Sequence, residues 1–305
     1  MEQRSQSLQY SIGIHGVAIP EVGSLASASP ECAISNVTQE GDQLSISADL
    51  HAQGKITYRP NTPSFARTVI IGEERSTSFI EVESEHTHCF VNEISLVLRD
   101  RARMTIIVSP KGSGETYISL RADLAIDTEL TIIQVLSQGS IVKYEEEIKL
   151  SGDRSGVHVV SIMSPRNDTV LDMATHVEHV GNETRGHVRA LGFLRGVSKT
   201  TYRATGAIAN GVIDPRSSED ARFLVIDKGA EVAAIPSLDI ASDRVATSHK
   251  LAIYQLGDKD LYYAMSRGLS EADARSMLYE GLLDAELSCI KSERLVEEIK
   301  HMVHQ

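Results

Sequence analysis

The sequence predicts a mainly β protein, better suited to a β-helix than to a sandwich, that finishes in a short helical segment. Three observations carry that prediction. Apolar residues recur in strand-length runs from about residue 45 to 249, among them LSISADL, EISLVLRD, MTIIVS, ELTIIQVL and GVHVVSIMS, many of them alternating apolar and polar. No amphipathic helix interrupts those runs, which excludes βαβ architectures, because their parallel strands need crossover helices of about ten or more residues. After His249 the period-two pattern gives way to helix signals that persist to the last residues.

Taken in chain order, residues 1–40, including SLASASPE, read as an irregular lead-in, residues 41–255 as the β core and residues 256–305 as the helical segment. The core strands are short and joined by KGSGE, SGDRSG and DKGAE, turns that need not reverse the chain, as a solenoid requires. Asn210-Gly211 suits a tight hairpin and keeps the antiparallel sandwich open, since no strict sequence repeat decides between the two. In the helical segment Asp258 can cap KDLYYAMSR, and Gly268 is placed to end that helix in a left-handed conformation. Ser270, with Asp273 three residues on, can cap the next helix, whose apolar face is Ala274, Met277, Leu278, Leu282 and Ala285. A last helix from about Ser292 gathers Leu295, Val296, Ile299, Met302 and Val303 on one side, opposite Glu297, Glu298 and Lys300. That stripe needs a partner, either the preceding helix or another protein.

Composition narrows the function classes. The 305 residues carry 30 Lys+Arg against 42 Asp+Glu, a formal charge of −12 that argues against a nucleic-acid backbone as the main partner. The start, MEQRSQSLQYSIGIHGVAIP, lacks a basic flank followed by an apolar core, and no stretch approaches the ~20 apolar residues that span a membrane, so a soluble, cytoplasmic protein is expected. Cys32, Cys89 and Cys289 form neither a disulfide framework nor paired zinc-ligand spacing, which suits a reducing compartment. With no Trp and only 5% aromatics, the core must be built from Val, Ile, Leu and Ala.

Side chains capable of chemistry are scattered. In EHTHC, His86 and His88 would share a strand face while Cys89 points away, leaving a metal site incomplete. In THVEHVGNETRGH, His176, His179 and His187 could approach one another on stacked rungs, but decoration of the polar face of a sheet is the simpler reading. RGVSKTT, residues 195–201, lacks the leading Gly and the Gly-Lys pair of a phosphate loop, and no nucleophile elbow, dinucleotide fingerprint or zinc-protease motif occurs. Abundant carboxylates keep a β-helix enzyme acting on polysaccharide as the alternative, against which stands the lack of any Trp to stack on a sugar.

From about Glu219 to Leu283 the order of elements resembles the SufB/SufD family, scaffold components of the SUF machinery that assembles iron–sulfur clusters. The residues that carry the resemblance are FLVID, then Pro236 before Leu238-Asp239-Ile240, then Val245 with Ser248-His249, then LYYAMSRG with a helix opening SEADAR. The resemblance fades toward the amino terminus, although TRGHVRALGFLRGVSKTTYRATGAI still fits the family's stacked strands. It implies a right-handed parallel β-helix with a helical carboxy-terminal segment, dimerisation through the solenoid with itself or a SufB-type paralogue, and docking of a SufC-type ABC ATPase on the helices. It implies no catalytic residue and no permanently bound cofactor, only transient iron or an iron–sulfur cluster. By the same resemblance His249 matches the histidine that SufD-type proteins contribute to cluster assembly, and Tyr263, Met265, Arg267, Gly268 and Leu269 fall at the ATPase contact. Two departures place the chain on the SufD-like side: Lys250 follows the histidine where SufB-type sequences have an acid, and the SufB-type cysteine aligns near Ala221.

Overall fold

A computed structural model describes residues 28–32, 36–40, 43–48, 51–60, 62–255, 258–287 and 293–304. Cys289 and the first part of the lead-in lie outside the described residues, as do the side chains of Asp258, Leu278, Leu282, Ala285, Leu295, Glu298, Met302 and Val303. The chain opens with β1 (Ala28–Cys32), β2 (Asn36–Glu40), β3 (Gln43–Ala48), β4 (Ala52–Tyr58), β5 (Ser64–Gly72) and β6 (Thr77–His86). It continues through β7 (Phe90–Leu98), β8 (Arg103–Gly112), β9 (Glu115–Leu124), β10 (Glu129–Leu136), β11 (Ile141–Leu150) and β12 (Gly156–Met163). It then runs through β13 (Val170–His179), β14 (Arg185–Leu194), β15 (Lys199–Ile208), β16 (Arg216–Val225), β17 (Glu231–Ile240) and β18 (Ala246–Gln255). Three helices follow, α1 (Asp258–Ser266), α2 (Glu271–Leu287) and α3 (Glu293–His304).

The strands alternate between two 9-stranded sheets, one ordered β1-β4-β6-β8-β10-β12-β14-β16-β18 and the other β17-β15-β13-β11-β9-β7-β5-β3-β2. From β3 and β4 onward every pairing is parallel, so the fold is a β-solenoid, as the strand-length runs without intervening helices predict. The two antiparallel pairings, β1 with β4 and β2 with β3, occupy the amino-terminal end, so strands begin ahead of residue 41. Asn210-Gly211 makes no hairpin: it lies in the turn between β15 and β16, strands of different sheets, with Gly211 at φ 78.

Register explains the core. Because rungs stack in register, inward residues form rows perpendicular to the strands, and one row runs Ile80, Ile106, Ile132, Val159, Val188. Each is buried, and with the leucines, valines and alanines of neighbouring rows they make one continuous aliphatic core. At about 25 cal/mol per Å² of apolar surface removed from water, such stacking is the main stabilising term.

One corner of the solenoid repeats in its backbone. Arg75, Arg101, Asp127, Arg154, Glu183 and Asp214 all have φ between 52 and 60. The N–H of each donates to a carbonyl in the same corner of the next rung, for example Arg101 to Ile126 and Arg154 to Asn182. Hydroxyls close the turns, with Thr128 Oγ1 donating to the Ala125 carbonyl at 2.8 Å and Ser155 Oγ to the Gly152 carbonyl at 2.7 Å.

The helices end the chain as predicted and then depart from expectation. Gly268 sits at φ 97, and Ser270 Oγ accepts from the Asp273 N–H at 3.1 Å, completing the cap of α2. Of the α3 stripe, the described side chains Ile299, buried, and Val296, partly buried, pack with α2 and the sheet. Ile299 of α3 and Leu283 and Leu287 of α2 are buried against Ile133, Val160, Ile162, Leu191, Phe193 and Leu224 on the outer face of the even-numbered sheet. The sequence pattern could not reveal this, because an outward row of a strand becomes apolar only where something covers it.

Candidate functional site

The carboxy-terminal end of the solenoid is where the sequence-predicted residue lies. Among the described residues β17 and β18 are the terminal strands of their sheets, each hydrogen-bonded to one neighbouring strand, so each leaves one backbone edge open there. Inward-facing apolar side chains stand exposed in this last rung, Ile253 at 49% and Leu251 on β18 and Ile240 at 40% on β17, where a further rung would cover them. Exposed apolar side chains at a sheet end suit an interaction face.

His249 is exposed on β18 and pairs in register with Glu219 of β16. Glu219 in turn pairs with Val188, so His249 and Glu219 extend the inward row that is aliphatic from Ile80 to Val188. Glu219 is 6% exposed and its Oε1 has no hydrogen-bond partner among the described residues. Burial pushes its carboxyl up to about 7. Facing it from the other sheet, the fully buried Tyr202 hydroxyl also lacks a partner among the described residues, and burial and then the charge of Glu219 hold it well above the usual phenol range. Ala221, where the resemblance puts a cysteine in SufB-type chains, is the next inward residue along β16, buried and in register with Leu251. Lys250 points to the outer face, in register with Asp220.

The other histidine clusters separate. His86 turns inward, buried, with Nε2 at 3.1 Å from Thr116 Oγ1. His88 is exposed in the turn, and Cys89 is buried on the outer face beside Val91 and Tyr117, its thiol pushed up to about 11 by burial and then by Glu115. His179 lies inside, with Nδ1 at 2.8 Å from Thr184 Oγ1, and burial pushes its imidazole down to about 4. His176 lies on the opposite face of β13, and His187 is exposed on the outer face of β14. His187 instead meets His158 of β12 in register, their ring centroids 6.4 Å apart. Residues 195–201 form a turn and the start of β15, with Gly196 at φ 67 and its N–H donating to Asp227. Among the described residues no three His, Cys, Asp or Glu side chains gather closely enough to hold a metal ion.

A polar island lies deeper in the core. Glu146 accepts from Gln134 Nε2 at 2.6 Å and from Thr175 Oγ1 at 2.7 Å, and Ser161 Oγ donates to Gln134 Oε1 at 2.7 Å, bridging the two sheets. Complete burial pushes the Glu146 carboxyl up to about 8. Reading the sequence missed both Glu146 and Glu219. No local signal marks them: Glu146 is one of three consecutive glutamates and Glu219 stands beside Asp220, so only the stacking register shows which carboxylate points inward.

The second exposed surface is helical. Tyr262 is 73% and Tyr263 65% exposed on α1, with Met265, Leu269 and Met277 also open, while Leu261, Ala264 and Ala274 pin α1 to α2. The Arg267 guanidinium sits 5.1 Å from the Tyr263 ring centroid and donates to its hydroxyl at 3.1 Å, giving the patch a fixed cationic rim. Tyr263, Met265, Arg267, Gly268 and Leu269 are therefore all exposed on one stretch of surface. Among the described residues no helix is long and apolar enough to cross a membrane.

Comparison with known proteins matches residues 56–282 to a family described as SUF system FeS cluster assembly, SufBD core domain. A curated iron–sulfur cluster assembly SufBD family protein of Methanothermobacter thermautotrophicus is 26% identical over 250 residues, covering 78% of this chain and 59% of that protein. Similar proteins of the same description occur in Synechocystis, at 25% identity over 72% of this chain and 49% of the relative, and in Mycobacterium leprae, at 24% over 74% of this chain and 27% of the relative. The chain thus spans between about a quarter and three-fifths of the length of these relatives. None of these relatives lends support to the polysaccharide alternative.

Proposed function

This chain belongs to the SufBD family of iron–sulfur cluster assembly proteins, and from that membership we propose a SufD-like role as the non-catalytic partner of a scaffold and of a SufC-type ABC ATPase. The observation that carries the reading is His249, exposed on the terminal strand of an open solenoid end. An imidazole there is available to iron or to a cluster, which is the cargo of the reaction and not a resident cofactor. Ala221 and Lys250, in place of a thiol and an acid, favour a contributing partner over a principal scaffold.

The proposed mechanism is mechanical and coordinative. The open β17 and β18 edges pair with a SufB-type paralogue or a second copy, and the ATPase docks on the Tyr263–Leu269 surface in the cytoplasm. Because Leu283, Leu287 and Ile299 anchor α2 and α3 to the outer sheet face, closure of the ATPase around ATP pulls on the solenoid itself and not on a loose tail. The terminal rung then shifts against its partner and presents His249.

Co-purification with a SufC-type ATPase, followed by cluster reconstitution with His249→Ala, tests this reading. The expected result is stable ATPase binding by both forms and loss of assembly only in the variant. Binding with normal assembly by the variant would leave a solenoid interaction protein with no metal role, and failure to bind the ATPase would remove the reading altogether.

A further inference from the structure

Two histidines outside the proposed role stand together on the outer face of the even-numbered sheet. His158 of β12 and His187 of β14 are in-register neighbours on parallel strands, and strands so paired lie about 4.8 Å apart. Their rings meet edge to face at 88°, with centroids 6.4 Å apart. Two imidazoles that share an ion at about 2.0–2.1 Å per nitrogen hold their centroids about 5–6.5 Å apart. The pair therefore already stands at chelating distance.

The column continues with Ser218 of β16, whose Oγ lies 2.7 Å from His187 Nδ1. With Nδ1–H donating to that hydroxyl, Nε2 carries the lone pair, and an outer hydrogen bond of this kind orients a ligating histidine. Burial first, and then neighbouring positive charge, lower both imidazoles below the usual histidine range, so both are neutral at neutral pH. A pocket of about 320 Å³ runs from the two rings past Ser218 to Ser248. Glu129 supplies negative charge beside it. Its carboxylate lies across β12 at Gly156, where a Cβ would come within 2.5 Å of Oε2, and its charge reaches His187. The arginines on either side of His187 each meet an acid, Arg185 Nη1 at 3.9 Å from Glu129 and Arg189 in register with Asp220.

We propose that His158 and His187 chelate a divalent ion of the nickel, copper or zinc class, with water in the remaining positions. Imidazole nitrogen suits these ions, which lie late in the first transition row where affinity for such donors is greatest. Among the described residues no third His, Cys, Asp or Glu joins the pair, so water completes the shell. Both strands lie inside the sheet, behind β16 and β18, and the inference rests on neither the dimer, the ATPase nor His249.

The test is calorimetric titration of the untagged full chain with Ni(II), and one ion per chain is expected in the tightest phase. His158→Ala and His187→Ala should each weaken that phase about tenfold or more while the melting transition persists. The double variant should weaken it little further, because a chelate fails with its first arm. His176→Ala, on the outer face of the other sheet, should leave it unchanged. Unchanged affinity in either single variant, or no Ni(II) binding by the unmodified chain, overturns the site. Losses that multiply in the double variant overturn chelation in favour of two separate imidazole contacts, and an equal loss in His176→Ala overturns the site in favour of general binding to surface histidines.

Discussion

At the scale of single residues, the most consequential buried group is Glu146. Its carboxyl, raised to about 8, is protonated in the folded protein at neutral pH, whereas in the unfolded chain it ionises near 4.5. The unfolded state therefore holds fewer protons between those values. This group's contribution to stability is complete below about 4.5, falls by about 1.4 kcal/mol per pH unit as pH rises, and is lost by about 8. Glu146→Gln should abolish that slope and unfold at higher urea than the unmodified protein at pH 8. The Gln134 amide can flip to accept from the new side chain while Ser161 accepts in its turn, so the network stays satisfied. Equal urea midpoints at pH 8 would contradict a buried, protonated Glu146. This residue was not legible in KYEEEIKL, where three consecutive glutamates look alike and only stacking against Leu120 and Thr175 tells the inward one apart. His249 was singled out only through the family resemblance, on Val245 with Ser248-His249, and its role stands as a proposal.

At the scale of elements, the corners impose the tightest demands. Gly152 lies where a Cβ would come within 2.3 Å of the Ala125 carbonyl carbon and the Ile126 nitrogen, both backbone atoms that cannot swing aside, and Gly181 stacks on Gly152 in the next rung. Gly152→Ala should therefore cost about 1–3 kcal/mol, as overpacking does, and lower the urea midpoint without changing the far-ultraviolet spectrum. The helical element makes the opposite prediction. Tyr263→Ala removes a ring that is 65% exposed and stacks with Arg267, so it should leave the melting temperature nearly unchanged and, on the proposed docking, weaken ATPase binding about tenfold or more, the usual effect of losing an interfacial aromatic anchor. Most strands were legible as runs, and α1 and α2 from Gly268 and Ser270. The repeat was not, because the left-handed corner position is filled by Arg, Asp or Glu and the rungs it marks vary in length. Glu74-Arg75-Ser76, Asp153-Arg154-Ser155 and Asn182-Glu183-Thr184 share a backbone shape that sequence identity does not record.

At the scale of the whole molecule, the two ends of the solenoid differ. The amino-terminal strands reverse direction, whereas the carboxy-terminal rung keeps the parallel order and leaves both sheets open behind an apolar rim. Ile253→Glu places a charge over the half-exposed end of the inward row, in register with Phe223, and sedimentation should then show a monomer, at some cost in stability from the lost apolar cover. The open end was foreseeable only through the family resemblance, since periodicity alone left a sandwich possible. The central claim is that this end, with His249 on it, is where iron–sulfur assembly takes place. Its most direct measurement is the yield of cluster absorbance on anaerobic reconstitution of the complex with the ATPase, comparing the unmodified chain with His249→Ala. The account predicts that the variant still binds the ATPase and loses the cluster signal; a variant complex that forms clusters at the unmodified yield would contradict it.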